Sequence, residues 1–142
     1  MSSTPWQGLA WRCGALILLV LLLVGCDKSI GPTQGSVRFE DGEPVQAGSI
    51  EFRSLDGGRR YASRIDPKGQ FQPRDLYRRI GLPAGEYEVV VVQIVLTEDL
   101  ALKDHRHGRT VPRRYADYYT SGLRTTVKAG QTEPIEIVIA AE

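Results

Sequence analysis

Two thiols and two imidazoles are the scarce reactive groups of this 142-residue chain. Cys13 and Cys26 bracket an apolar run, and His105 and His107 stand one residue apart. His-x-His beside Asp104 has the donor types of a transition-metal site. Lys103, Arg106 and Arg109 crowd it, however, and cations repel a metal ion, so a solvated loop holding no metal is expected. Nucleophilic catalysis needs a base within hydrogen-bond reach of the nucleophile. Ser121, in Thr120-Ser121-Gly122-Leu123, reads as a turn into a strand, and nothing brings either His to it. The chain has no Gly-x-Ser-x-Gly, no phosphate-binding Gly-rich loop and no His-Glu-x-x-His. Acidic pairs such as Glu98 and Asp99 are local, with no second carboxylate placed at a working distance. The expectation is a chain without catalytic residues, cofactor or small-molecule substrate; the alternative is a hydrolase acting through Ser121 or His105.

The stretch 103–119 offers binding chemistry instead. Lys103, Arg106, Arg109, Arg113 and Arg114 face only Asp104, and Tyr115, Tyr118 and Tyr119 follow at once. Arg and Tyr together are typical of recognition surfaces. Arg106, Arg109, Arg113, Arg114, Tyr115, Tyr118 and Tyr119 therefore form a candidate surface for carbohydrate or an acidic partner, such as an envelope protein or polysaccharide. The competing reading is a solvated loop with some tyrosines packed on the domain.

Residues 1–26 have a different character. A polar start carries Arg12; Ala15 to Val24 is ten unbroken apolar residues; the small Gly25 then precedes Cys26. Charged, apolar and small segments in that order make a secretory signal. The run is short for a membrane span, which needs roughly 17–25 residues. Leu23-Val24-Gly25-Cys26 resembles the lipobox of bacterial lipoprotein signals, with Val24 standing where Ala or Ser is commoner. That resemblance implies signal-peptidase recognition through Leu23, Val24 and Gly25, and cleavage before Cys26. It also implies a diacylglycerol thioether on Cys26, usually with acylation of the new amino group. Two or three chains matter, because one acyl chain holds a protein only marginally. The expected place is a bacterial envelope membrane, with the domain on its periplasmic or extracellular side.

Cleavage there would remove Trp6, Trp11 and Cys13, leaving Cys26 as the sole Cys. No intramolecular disulfide could then form, and stability would rest on the core. Seventeen acidic side chains would face seventeen cationic ones, which argues against nucleic acid as a partner. The expected organisation is a signal peptide over 1–25, the lipidated Cys and a tether over 26–33, and one domain over 34–142.

Strand patterning dominates that domain. Val37 and Phe39 alternate with polar residues, as do Ile50 and Phe52. Period-two alternation of β-branched and aromatic residues signals half-buried strands. Weaker strands are expected at 61–65 and 70–72, the strongest over 86–96, and two more at 123–127 and 134–139. In the strongest, Tyr87, Val89 and Val91 share one face and Val90, Val92 and Ile94 the other, the mark of a central or covered strand. Asp41-Gly42, Asp66-Pro67-Lys68-Gly69, Leu82-Pro83-Ala84-Gly85 and Lys128-Ala129-Gly130 read as turns. Seven short strands with Gly/Pro punctuation predict an all-β sandwich. The stretch 97–122 is long for a connection, and a helical turn or two is expected over 98–104 with Thr97 as cap.

The order of the motifs resembles carboxypeptidase-regulatory-like domains. It runs from a strand into Gly42-Glu43-Pro44-Val45 and a second strand. Asp66-Pro67-Lys68-Gly69-Gln70-Phe71 follows, and then Leu82-Pro83-Ala84-Gly85-Glu86-Tyr87-Glu88-Val89. Val111-Pro112-Arg113-Arg114-Tyr115 and Thr120-Ser121-Gly122-Leu123 resemble a tail of small lipoproteins carrying such a domain. The resemblance implies a seven-stranded Ig-like or prealbumin-like sandwich, with no catalytic residues and an accessory or surface role.

Overall fold

The alternation is realised as seven strands. A computed structural model describes residues 30–94 and 108–142. The strands are β1 (Gly35–Phe39), β2 (Gly48–Ser54), β3 (Arg60–Ile65), β4 (Gln70–Phe71), β5 (Gly85–Val92), β6 (Leu123–Val127) and β7 (Ile135–Ile139). They form two sheets, one of order β4-β1-β7 and one of order β3-β2-β5-β6. β1 pairs antiparallel with β4 and parallel with β7. Every pairing in the larger sheet is antiparallel. The described residues thus make an all-β fold of two sheets with almost no helix.

Period two decides which side chains meet between the sheets. Val37 and Phe39 of β1 and Ile135, Ile137 and Ile139 of β7 are buried, as are Ile50, Phe52, Tyr87, Val89 and Val91 of the larger sheet. Phe71, one of only two residues in β4, packs against Phe52 with ring centroids 5.5 Å apart. Tyr87 meets Phe52 at 6.4 Å and Tyr61 at 5.9 Å, both edge-on. Edge contacts of this kind add to the apolar burial that dominates stability. The Asp66–Gly69 turn shows why its residues are needed. Asp66 Oδ1 accepts from the amides of Lys68 and Gln70, both at 2.8 Å. Gly69, at φ +76°, lies so close to β1 that a Cβ there would sit 2.5 Å from the Val37 carbonyl oxygen.

Three points differ from the expected pattern or add to it. First, the strand expected over 86–96 ends at Val92, and Ile94 is 78% exposed. The register explains the end: Val92 pairs with Ser49, next to the first residue of β2, so no partner strand continues beyond it. Val90 does have a covered outer face, because the 113–121 segment packs on β5. Second, the described end of the long connection is regular. A 3-10 turn (Arg113–Ala116) precedes one helical turn (Tyr118–Ser121). Asp117 caps the latter by accepting from the Tyr119 amide at 2.8 Å, and Gly122 ends it at φ 65°. The helical turn expected over 98–104 lies outside the described residues.

Third, the tether expected to reach residue 33 is docked from Gly31. Pro32 is fully buried, and its carbonyl accepts from the Leu82 amide at 3.0 Å. Gly31, at φ +74°, leaves no room for a side chain: a Cβ would fall 1.9 Å from the Leu82 oxygen. A Cβ on Gly81, at φ +114°, would in turn fall 2.5 Å from the Ile30 carbonyl oxygen. The packed domain therefore includes Gly31, Pro32 and Thr33.

Candidate functional site

The stretch expected to form a recognition surface divides. Arg106, with Asp104, His105 and His107, lies outside the described residues, as do Leu23, Val24, Gly25 and Cys26. Arg109 is not free for a ligand. Its guanidinium lies 2.7 Å from Asp41 and from Glu43 and sits 4.7 Å from the Phe39 ring centroid. The Arg109 hydrogen bond is the main reason that Asp41 titrates below its usual range. Tyr115 is withdrawn into the core. Its hydroxyl accepts from the Ala140 amide and from Arg114, both at 2.9 Å, and Arg114 also stacks on its ring at 4.8 Å. Tyr118 is half-buried on the outer face of β2, with its hydroxyl on Glu51 and Arg53 stacked 4.0 Å from its ring centroid. Arg113 and Tyr119 stand outward, Tyr119 93% exposed. Among the described residues of the expected surface, Arg113, Arg114 and Tyr119 stay exposed, while Arg109, Tyr115 and Tyr118 fasten the segment to the sandwich.

Ser121 is buried, and its hydroxyl donates to the Val89 carbonyl at 2.5 Å while accepting from the Leu123 amide at 3.3 Å. That hydroxyl stitches the helical turn to β5. Among the described residues, no group of three or more His, Cys, Asp or Glu is set to hold a metal ion.

A second cluster was missed in the sequence. Between positions 59 and 80 the chain carries seven cations, Arg59, Arg60, Arg64, Lys68, Arg74, Arg78 and Arg79, against Asp66 and Asp75 alone. A count of charge along the chain finds it. The fold gathers it on one edge. Arg60 and Arg64 point outward from β3, while Tyr61 and Ile65 point in. Between them, Ala62 exchanges both backbone hydrogen bonds with Arg74, so residues 74–80 extend the larger sheet past its edge strand.

Those residues form a tight hairpin. Arg74 pairs with Ile80, and the Asp75 amide donates to the Arg79 carbonyl at 3.0 Å. Asp75 organises the tip: one carboxylate oxygen accepts from the Tyr77 and Arg79 amides at 2.9 Å, and the other from Arg79 Nε at 2.7 Å. Desolvation would raise the Asp75 pKa, but the Arg79 and Tyr77 hydrogen bonds outweigh it and hold the carboxyl below its usual range. Arg78 sits at φ 65°, a left-handed conformation uncommon outside glycine. The tip so held presents Leu76 and Tyr77, 90% and 79% exposed.

Beside the hairpin, a cleft of about 770 Å³ opens where β3 and β4 part, lined by Ser36, Ser63, Arg64, Asp66, Gln70 and Arg74 among others. Its hydroxyls, amides and charges suit hydrogen bonding to a polar or anionic group. Among the described residues, no helix is long and apolar enough to cross a membrane. Set against family models, curated proteins and solved structures, the chain matches none of them.

Proposed function

We propose that this chain is a lipid-anchored bacterial envelope protein whose β-domain binds rather than catalyses. The observation that carries the reading is Leu23-Val24-Gly25-Cys26 directly after ten apolar residues. Residues 1–25 act as the signal, the Cys26 thiol takes the diacylglycerol, and the acyl chains sit in an envelope membrane. Gly31 is already docked on Gly81 and Leu82, so the tether is Asp27 to Ile30. The domain is an Ig-like, prealbumin-like sandwich of the carboxypeptidase-regulatory-like kind. Its seven strands in two sheets support that class. The non-catalytic role draws support from Ser121, whose hydroxyl is committed to Val89. Metabolic labelling with a palmitate analogue should tag the wild-type chain and not Cys26→Ala. Equal labelling of the two would overturn the anchor.

A further inference from the structure

The hairpin 74–80 stands at the place where the tether joins the domain. Its base is the Gly81 amide donating to the Pro73 carbonyl at 3.0 Å, and Ile30 packs on Gly81. Ile30 lies four residues beyond Cys26, a reach of about 14 Å when fully extended. The tip at Tyr77 lies four residues beyond Pro73, roughly 13 Å in extended geometry. A lipid on Cys26 thus holds the hairpin base within about one hairpin length of the leaflet.

Composition matches that position. Leu76 is an apolar side chain held out in water, and Tyr77 beside it has the apolar body and polar tip that favour the headgroup level. The cations around them are placed for phosphate. Arg78 on the hairpin and Arg59, which the antiparallel Ala62–Arg74 register sets on the tip side, make no ion pair among the described residues, whereas Arg79 is met by Asp75 and Arg60 reaches Glu51 at 3.5 Å. The tip is also set in advance, because Asp75 fixes three donors and the left-handed Arg78. A rigid tip loses little conformational freedom on contact.

We infer that the hairpin 74–80 is a second, non-covalent membrane contact. Leu76 and Tyr77 enter the headgroup region of an anionic phospholipid leaflet, while Arg78 and Arg59 pair with lipid phosphates. Its placement rests on the lipid-anchor reading; its chemistry does not. The contact orients the domain, so that the lipid tether fixes distance and the hairpin fixes which face looks outward.

The test places one tryptophan at the tip. The full chain carrying Trp6→Phe, Trp11→Phe and Tyr77→Trp is purified, weighed intact by mass spectrometry, and reconstituted into vesicles. One set contains phosphatidylglycerol and phosphatidylcholine, the other phosphatidylcholine alone, each with brominated acyl chains. The expected result is a blue-shifted emission quenched by bromine in the anionic vesicles. Quenching should be lost in the neutral vesicles and on adding Leu76→Ser with Arg78→Glu, whose side chains are outside the core. A lipidated mass with unquenched tryptophan overturns the hairpin contact and leaves the anchor standing. An unlipidated mass with quenched tryptophan supports the contact and removes the anchor. A tip shielded in native membranes but unquenched in anionic vesicles also overturns it, the occupant then being a protein.

Discussion

The Tyr118 hydroxyl donates to Glu51 Oε1 at 2.8 Å, tying the helical turn of residues 118–121 to the outer face of β2. Arg53, two residues along the same strand face, stacks on the Tyr118 ring and pairs with Glu88 of β5. Tyr118→Phe keeps the ring and removes the hydrogen bond, at a cost of about 1 kcal/mol. Tyr118→Ala should cost more, because the Arg53 stacking is lost as well. Urea unfolding of the two variants checks the order. Equal stabilities would mean that the ring contributes nothing to holding this segment.

Docking of Gly31 is tested by adding one methyl group. Gly31→Ala forces a Cβ onto the Leu82 carbonyl at a positive φ, and about 2–3 kcal/mol should be lost. Gly122→Ala is the control. Its φ is also positive, but nothing lies within 4 Å of the added atom, so only the backbone term of about 1 kcal/mol remains. Amide exchange should show Leu82 losing protection in Gly31→Ala and keeping it in Gly122→Ala. Similar losses in both would place the packed domain's start after residue 33.

These two sites mark what could be read beforehand. Val37 and Phe39, Ile50 and Phe52, and the three isoleucines of β7 announce their burial by alternation, because a strand repeats every two residues. The Gly31–Leu82 fit carries no such signal, since it joins segments far apart in sequence and depends on shape. The turns over 113–121 are each four residues long, too short for helical periodicity. Arg and Tyr at 113–119 suggested a partner; three of those side chains are instead bound within the domain or packed into it. The cations at 59–80 are hard to see in the sequence because inward Tyr61, Ile65 and Phe71 interleave with them, and the strand pattern masks the charge pattern.

Asp75 should act as the pin of the 74–80 hairpin. Asp75→Ala removes the acceptor for the Tyr77 and Arg79 amides and for Arg79 Nε, and leaves the left-handed Arg78 held by backbone hydrogen bonds alone. Amides 76–79 should exchange faster and a trypsin-like protease should cut after Arg78, while core amides such as Val89 are unchanged. The pH dependence has a definite sign. A carboxyl held below its usual range supports the hairpin above that range and ceases to as pH falls through its lowered folded pKa. Hairpin protection should therefore fade on acidification in the wild type only. A pH-independent tip would show that Asp75 is not its organiser.

Alkaline unfolding should report on Tyr87. Its ring is buried among Phe52 and Tyr61, and its hydroxyl donates to the Pro83 carbonyl at 2.7 Å. Burial, with Tyr61 nearby, pushes its pKa from the usual 10 up to about 12. Tyr118 moves the same way, through burial first and the Glu51 hydrogen bond second. The folded state thus keeps both protons where the unfolded chain releases them. Stability contributed by Tyr87 is complete below about pH 10 and is lost as pH rises towards its folded value, roughly 2 kcal/mol in all. Tyr87→Phe should lose about 1 kcal/mol near neutrality with its hydrogen bond, then decline less steeply than the wild type above about pH 10. Adding Tyr118→Phe should flatten the alkaline limb further. Urea midpoints followed from neutral to alkaline pH make the measurement. Parallel curves for all three proteins would mean that neither hydroxyl is held in its neutral form by the fold.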